Sequence, residues 1–473
     1  ILIKEVHEDF NIVEHVDDGV VYIHGQLPEL IKEYLEYKFR EVKEIKYIIA
    51  NTVILEGVNF PIDSLFIFGS HIISNGKSLM NLVGRVNRLN EIFKFSKKNV
   101  ELLENNLYKL LPKVHIINEK EQKEDQHDSK FKHLRSRVFP DVIKNPTLEL
   151  FDIKKVGPKG TTKEKQEERE RFVKRTEKIQ AYEKFISNII DTHRDEVKKY
   201  FIENSLNNYY IDTELAIDSF IDTKASILSS DNSEWRLLSM MDKIEKVFIQ
   251  NPDNIFEYEF KRLQNESARK YYEGYITIAK KKNLKNNIKW QVDKFIEIKN
   301  NEELKKLDQQ KIYVGESYGD TIWKTENWRD SKREVYAELS NKEGSTLTNL
   351  AIVKLQVEEN FVSFTLNTFI QALFDFKLIS ENEYNVYVYG TKNVEKIKLS
   401  KQGLSLSLIS RLEDDEQLGN LSFENGNIVG NDAFKSFLNS NLVNDFYRFE
   451  IQRYIIVNNN QRNGEEMGIS TIK

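Results

Sequence analysis

The 473-residue sequence contains no cysteine, which excludes disulfides, thiolate zinc sites and thiol nucleophiles. That absence fits a reducing cytoplasm, the location we expect. No uninterrupted apolar run reaches the ~20 residues that a membrane-spanning helix needs, and no signal-peptide pattern is present. Positive charge is not in excess either: 70 Lys and Arg stand against 75 Asp and Glu, a net charge of −5. A globally basic nucleic-acid coat is thereby excluded, so nucleic-acid contact has to use local basic surface. No internal repeat and no nucleophile–base constellation stands out. An initiator Met is missing too. Ile1 opens directly inside an amphipathic pattern of Ile3, Val6, Phe10 and Val13, so the chain reads as a piece whose N-terminal part lies elsewhere.

What is there is ample material for burial: 40% hydrophobic and 11% aromatic residues, enough for a globular chain of two to four domains. Residues 1–17 read as the tail of a helix. Gly19–His24 is a short β-branched and aromatic run, hence a strand. Pro28 suits the first turn of a helix running to about Lys43. Further strands are expected at Ile45–Ala50, Ser64–Gly69 and Val114–Asn118, with helices at 77–92 and about 98–111. Apolar strands alternating with helices imply a parallel sheet with helices on its faces. In such sheets ligands bind beyond the carboxyl ends of the strands.

Two stretches fall where such a ligand would sit. In Asn51–Pro61, Thr52 offers a hydroxyl, Gly57 allows close backbone approach, and Asn59 can bridge to phosphate or sugar. In the helix expected over 77–92, Leu79, Leu82, Val83, Val86 and Leu89 form a core-facing stripe. Asn81, Arg85 and Arg88 share the opposite face. Gly84 costs about 1 kcal/mol relative to Ala mid-helix and so asks for a reason, such as close approach of a ligand. Two guanidiniums beside a small residue are suited to phosphate oxygens, although a pair of helical arginines is usually a solvated face.

The segments Val20-Val-Tyr-Ile-His-Gly-Gln-Leu-Pro28, Glu36-Tyr-Lys-Phe-Arg40, Ile48–Pro61 and Asn81-Leu-Val-Gly-Arg-Val-Asn-Arg88 come in this order. Together they resemble the second RecA-like domain of superfamily 2 DEAD/DEAH-box helicases, most of all the Ski2-like group. The resemblance covers about the first quarter of the chain. It implies ATP and Mg2+ as cofactors, with Arg85 and Arg88 as arginine fingers on the γ-phosphate. It implies Gly57, Asn59, Asn81 and Gly84 at the nucleotide, and His24, Gly25 and Thr52 at the nucleic-acid backbone. Asn51 stands where the family usually has Ala, and Asn81 where it has Gln. No Gly-x-x-x-x-Gly-Lys-Ser/Thr loop and no Asp-Glu-x-His/Asp box occurs; both belong to the family's first RecA-like domain, so this chain alone is expected to be inactive. A narrower resemblance rests on Leu79–Phe93 and Leu111-Pro-Lys-Val-His-Ile116. It is to bacterial antiphage-defence helicases, in particular the helicase component of the Hachiman system, and it implies a nuclease subunit as partner and DNA as the favoured substrate.

The expected organisation is an α/β RecA-like parallel-sheet domain over 1–118 and a charged linker over 119–160. A mainly helical accessory domain over 161–305, a mixed α+β domain over 306–457 and a loose tail over 458–473 follow. Within the linker, His127, Asp128 and His133 could bind a metal weakly, but a solvated loop is the far commoner outcome. The basic run Lys280–Trp290 could track a single strand or simply end a helix. Glu413–Glu416 reads as a solvated turn. In the last third, strands are expected at Ile312–Val314, Glu334–Leu339, Ala351–Leu355 and Tyr384–Tyr389, the last giving a faintly winged-helix pattern. Helices are expected at Leu366–Phe376, 401–413 and 433–456. Two other functions stay open: an RNA helicase of ordinary metabolism, and a non-hydrolysing nucleic-acid-binding scaffold on a RecA-like fold.

Overall fold

In the computed structural model the described residues are 1–51, 62–68, 81–86, 110–117, 193–229, 233–307, 309–316 and 334–457. The chain divides into two units, one of Glu14–Asn188 and one of Ile1–Val13 together with Ile189–Lys473.

The first unit holds two parallel strand pairs. β1 (Val20–Ile23) runs beside β2 (Tyr47–Ala50), in register from Val20 opposite Tyr47 to Ile23 opposite Ala50. A parallel pair needs a crossover, supplied by the helix Glu29–Glu41, which is led in by Pro28 and buries Ile31, Tyr34 and Leu35. Gly19 starts β1 with φ +74, and a Cβ there would lie 2.4 Å from the Glu44 carbonyl oxygen, so no other residue fits. Its own carbonyl accepts from the backbone N–H groups of Lys46 and Tyr47 at 2.8 and 3.0 Å, which ties the two strand starts together. β3 (Ser64–Phe68) pairs in parallel with β4 (Lys113–Ile117). Leu65 and Ile67 of β3 bury against Leu82 and Val86. The single parallel sheet expected from the sequence is thus present, among the described residues, as two separate two-stranded sheets.

The second unit is mainly helical. Phe201 meets Phe220 edge-on at 5.5 Å, Phe220 stacks on Phe248 at 5.5 Å, and Phe260 stacks on Phe369 at 4.0 Å. One of its helices is Thr213–Ser229. Ser233–Leu237 and Met240–Phe248 are separate helices, the second capped by Ser239, whose side chain accepts from Asp242 N–H. β5 (Lys311–Glu316) and β6 (Glu334–Glu338) form an antiparallel pair.

Three expectations in the last third need correction. Ala351–Leu355 is not a strand but part of the helix Gly344–Asn360. That helix runs through a π-helical turn, Phe361–Leu366, into the helix Asn367–Asp375. Tyr384–Tyr389 is also helical, within Glu381–Tyr389, so the winged-helix pattern falls. Ser380 and Glu383 form a capping box at its start, and Gly390 closes it at φ +67. The single helix expected over 433–456 is Asp432–Leu438, Asp445–Gln452 and a strand. β7 (Leu421–Glu424), β8 (Asn427–Gly430) and β9 (Ile455–Val457) make a three-stranded sheet, over a core that includes Leu412, Phe434 and Ile451.

The first thirteen residues are held by this second unit. The helix expected over 1–17 is broken into Leu2–Glu5 and Asn11–Val16. Glu5 accepts from both terminal nitrogens of Arg411, at 3.0 and 3.3 Å, and from Asn444. Asn349 donates to the Asn11 side chain at 2.8 Å, and Lys285 to the Ile3 carbonyl at 3.0 Å. Among the described residues no helix is long and apolar enough to cross a membrane.

Candidate functional site

The register of β1 and β2 decides what lies at their carboxyl edge. Ile23 is paired with Ala50, so His24 and Asn51, the next residue of each strand, leave the sheet at the same edge. The His24 carbonyl accepts from Leu27 N–H at 3.1 Å, closing the turn that delivers Pro28 to the helix. Gly25, in that turn, has open space on its Cβ side, with nothing within 4 Å; a ligand can approach its backbone.

The His24 ring is parallel to that of Tyr22, with centroids 6.0 Å apart and planes 7° apart. Burial, and after it the positive charge of Lys32, hold the His24 imidazole below its ordinary 6.5. Burial alone pushes the Tyr22 hydroxyl up to about 12. At neutral pH both are therefore uncharged. His24 can donate or accept a hydrogen bond at a nucleic-acid backbone but does not act as a cation there. The Tyr22 partnership has a sequence signal, since residues two apart on a strand share a face.

The second stretch is placed only in part. Asn81–Val83 is helical, and Gly84 and Arg85 form a turn. Arg85 N–H donates to Leu82 O at 3.1 Å, and Val86 N–H to Val83 O at 3.0 Å. Val86 then bridges in parallel to Ile62. Leu82 and Val86 face the core as expected, and Asn81 and Gly84 are exposed. Arg85 departs from the face assigned to it: it is only 8% exposed, because the tightened turn carries it inward with Val86. The solvated-face reading of Arg85 is corrected on that ground. Thr52, Gly57, Asn59 and Arg88 lie outside the described residues. The structure therefore brings together His24, Gly25 and the strand end before Thr52, and separately Asn81, Gly84 and Arg85.

The other sequence candidates have structural uses. Lys280 pairs with Glu359 at 3.3 Å, and Trp290 packs on Tyr271 with centroids 5.7 Å apart, so both ends of the basic run are engaged by their own unit. Glu413 pairs with Lys396 at 2.5 Å, and Asp415 accepts from the Tyr447 hydroxyl at 2.8 Å. Among the described residues no group of three His, Asp or Glu side chains is placed to hold a metal ion. His127, Asp128 and His133 lie outside them. No protein-family model, no curated protein and no solved structure matches the chain.

Proposed function

We propose that the chain is the C-terminal half of an ATP-dependent superfamily 2 helicase or translocase. On this reading it acts on single-stranded or tailed DNA in bacterial antiphage defence, with a nuclease subunit as partner. The observation that carries the reading is the motif series His24–Pro28, Thr52–Pro61 and Asn81–Arg88 in one order, the first opening from a parallel β1–helix–β2 unit at its carboxyl edge. Phosphoryl transfer to water asks the protein for positioning and charge neutralisation rather than covalent chemistry. A first RecA-like domain, whose phosphate-loop and acidic-box motifs this sequence lacks, holds the phosphates and Mg2+. Arg85 and Arg88 then neutralise charge on the transferring phosphoryl group. Gly57, Asn59, Asn81 and Gly84 sense the nucleotide, while His24, Gly25 and Thr52 hold the strand. The neutral state of His24 suits a hydrogen bond that does not depend on base identity.

The experiment is ATP hydrolysis by the full-length protein beside Arg85→Ala and Arg88→Ala. Loss of either finger should lower turnover by about 10³-fold. Turnover unchanged in both variants would reject the assignment. Asn81 in place of the family's Gln favours one second reading, a nucleic-acid-binding scaffold without turnover. Strand binding that persists while wild-type hydrolysis is absent would establish it.

A further inference from the structure

Two helices of the second unit, His193–Glu203 and Thr213–Ser229, lie against each other. They are tied by Arg194, which reaches Glu214 at 2.8 Å and Asp218 at 2.7 Å, and by Lys198, which reaches Glu214 at 2.7 Å. The first turn of one helix and the body of the other thereby set three side chains in a row. Glu196 Oε2 is 3.3 Å from His193 Nδ1, and His193 Nε2 is 3.3 Å from Lys224 Nζ. His193 and Glu196 share a helix face by their spacing of three. Lys224 is 31 residues away from His193, so no sequence pattern announces the arrangement.

A carboxylate only accepts, so Nδ1 carries the hydrogen of the neutral imidazole and Nε2 turns its lone pair to Lys224. An amine within reach of a base that a third group orients is the arrangement of an activated nucleophile. Phe376 closes one side: Lys224 Nζ lies 4.9 Å from its ring centroid. That ring packs on both Phe220 and Tyr200, with centroids 4.7 Å apart in each pair. Burial holds the Lys224 ammonium below its ordinary 10.5, with the Glu196 charge acting against it. His193 and Glu196 are 57% and 68% exposed, so a small reagent reaches the row from water. We propose that Lys224 is an acyl-acceptor site, modified by a small activated acyl donor, an acyl phosphate or an acyl thioester. This assignment does not depend on the helicase reading. The neutral amine attacks the donor's carbonyl carbon, one Nζ proton passes to His193 Nε2, and the C–O or C–S bond breaks as phosphate or thiolate leaves. The product is an amide on Nζ, and the imidazolium returns its proton to water.

The test is site-resolved acetylation of the full chain, incubated separately with acetyl phosphate and with acetyl-coenzyme A. Rates are read by peptide mass spectrometry, with the exposed Lys392 as the reference within the same chain. Lys224 should be acetylated at least about tenfold faster than Lys392 by one donor or both, since a positioned base is worth about 10²-fold or more. The donor that gives the acceleration identifies the source of the acyl group. His193→Gln should bring Lys224 to within about twofold of Lys392 and leave Lys392 itself unchanged. Glu196→Gln, whose amide oxygen still accepts from Nδ1–H, should keep most of the preference, whereas Glu196→Leu should lose it. Both substituted side chains are exposed, so thermal melts should show all three variants folded. Lys224 reacting no faster than Lys392 with either donor would overturn the proposal. So would a preference for Lys224 that survives His193→Gln.

Discussion

The two units differ in how far they build on packed aromatic rings. In the unit of Glu14–Asn188, Tyr34 is buried but Tyr47, Phe66 and Phe68 stand exposed on parallel strands, and the cluster of Leu65, Ile67, Leu82 and Val86 is aliphatic. In the unit of Ile189–Lys473, Phe201, Phe220, Phe248, Phe260 and Phe369 are all buried and in ring contact. The first unit carries its recognisable chemistry in short backbone segments at strand ends. The second carries none that is recognisable, and its order comes from long-range packing. A core of interlocked rings costs far more to disturb than a turn on a strand pair.

The sharpest way to break this contrast is Phe369→Ala. Phe369 is fully buried and touches the rings of Tyr209, Phe248 and Phe260, so its truncation should cost about 4 kcal/mol. Denaturant unfolding read by hydrogen exchange should show the loss in residues 193–457, with the amides of β1 and β2 unaffected. Equal loss in both units would break the contrast.

Acid titration should sharpen it, with a smaller effect. Burial pushes Glu450 up from 4.5 to about 7, against Arg411 and Arg453, with Glu5 reinforcing the rise. An acid raised by folding contributes fully below its unfolded value and loses that contribution as pH rises through the folded one. The second unit should therefore lose stability between 4.5 and about 7, and Glu450→Gln should flatten that slope. His24 runs the other way. Its lowered value gives a contribution present above 6.5 and lost as pH falls below it, so the difference between wild type and His24→Asn should shrink on acidification. Both slopes are measured by thermal melts at stepped pH.

The smallest expected effect is local. Ser380→Ala removes the Ser380–Glu383 capping box and should cost about 1 kcal/mol. Full protection of the amides in Glu381–Tyr389 after that change would show that tertiary packing, not the cap, sets this helix.

Legibility followed the same division. β1, the Glu29–Glu41 helix and β2 were readable because a β-branched run, a proline at the helix entry and a second such run are local signals. Tyr384–Tyr389 was misread from its tyrosines and valines, although Ser380-x-x-Glu383 before it and Gly390 after it spell a helix start and stop. Ala351–Leu355 was misread because five apolar-rich residues fit a strand, whereas Leu347, Ala351, Ile352 and Leu355 together follow the helical period. The burial of Arg85 was not readable, since it comes from a turn tightening after Val83 and a bridge from Val86 to Ile62. Nor could sequence pair Glu5 with Arg411, which lies 406 residues away.

The measurement that tests the central claim most directly is ATP turnover by the full-length wild-type protein, with and without single-stranded DNA and single-stranded RNA. The account predicts turnover that rises on adding a strand, and more with DNA than with RNA. Turnover indifferent to both, or absent throughout, would contradict it.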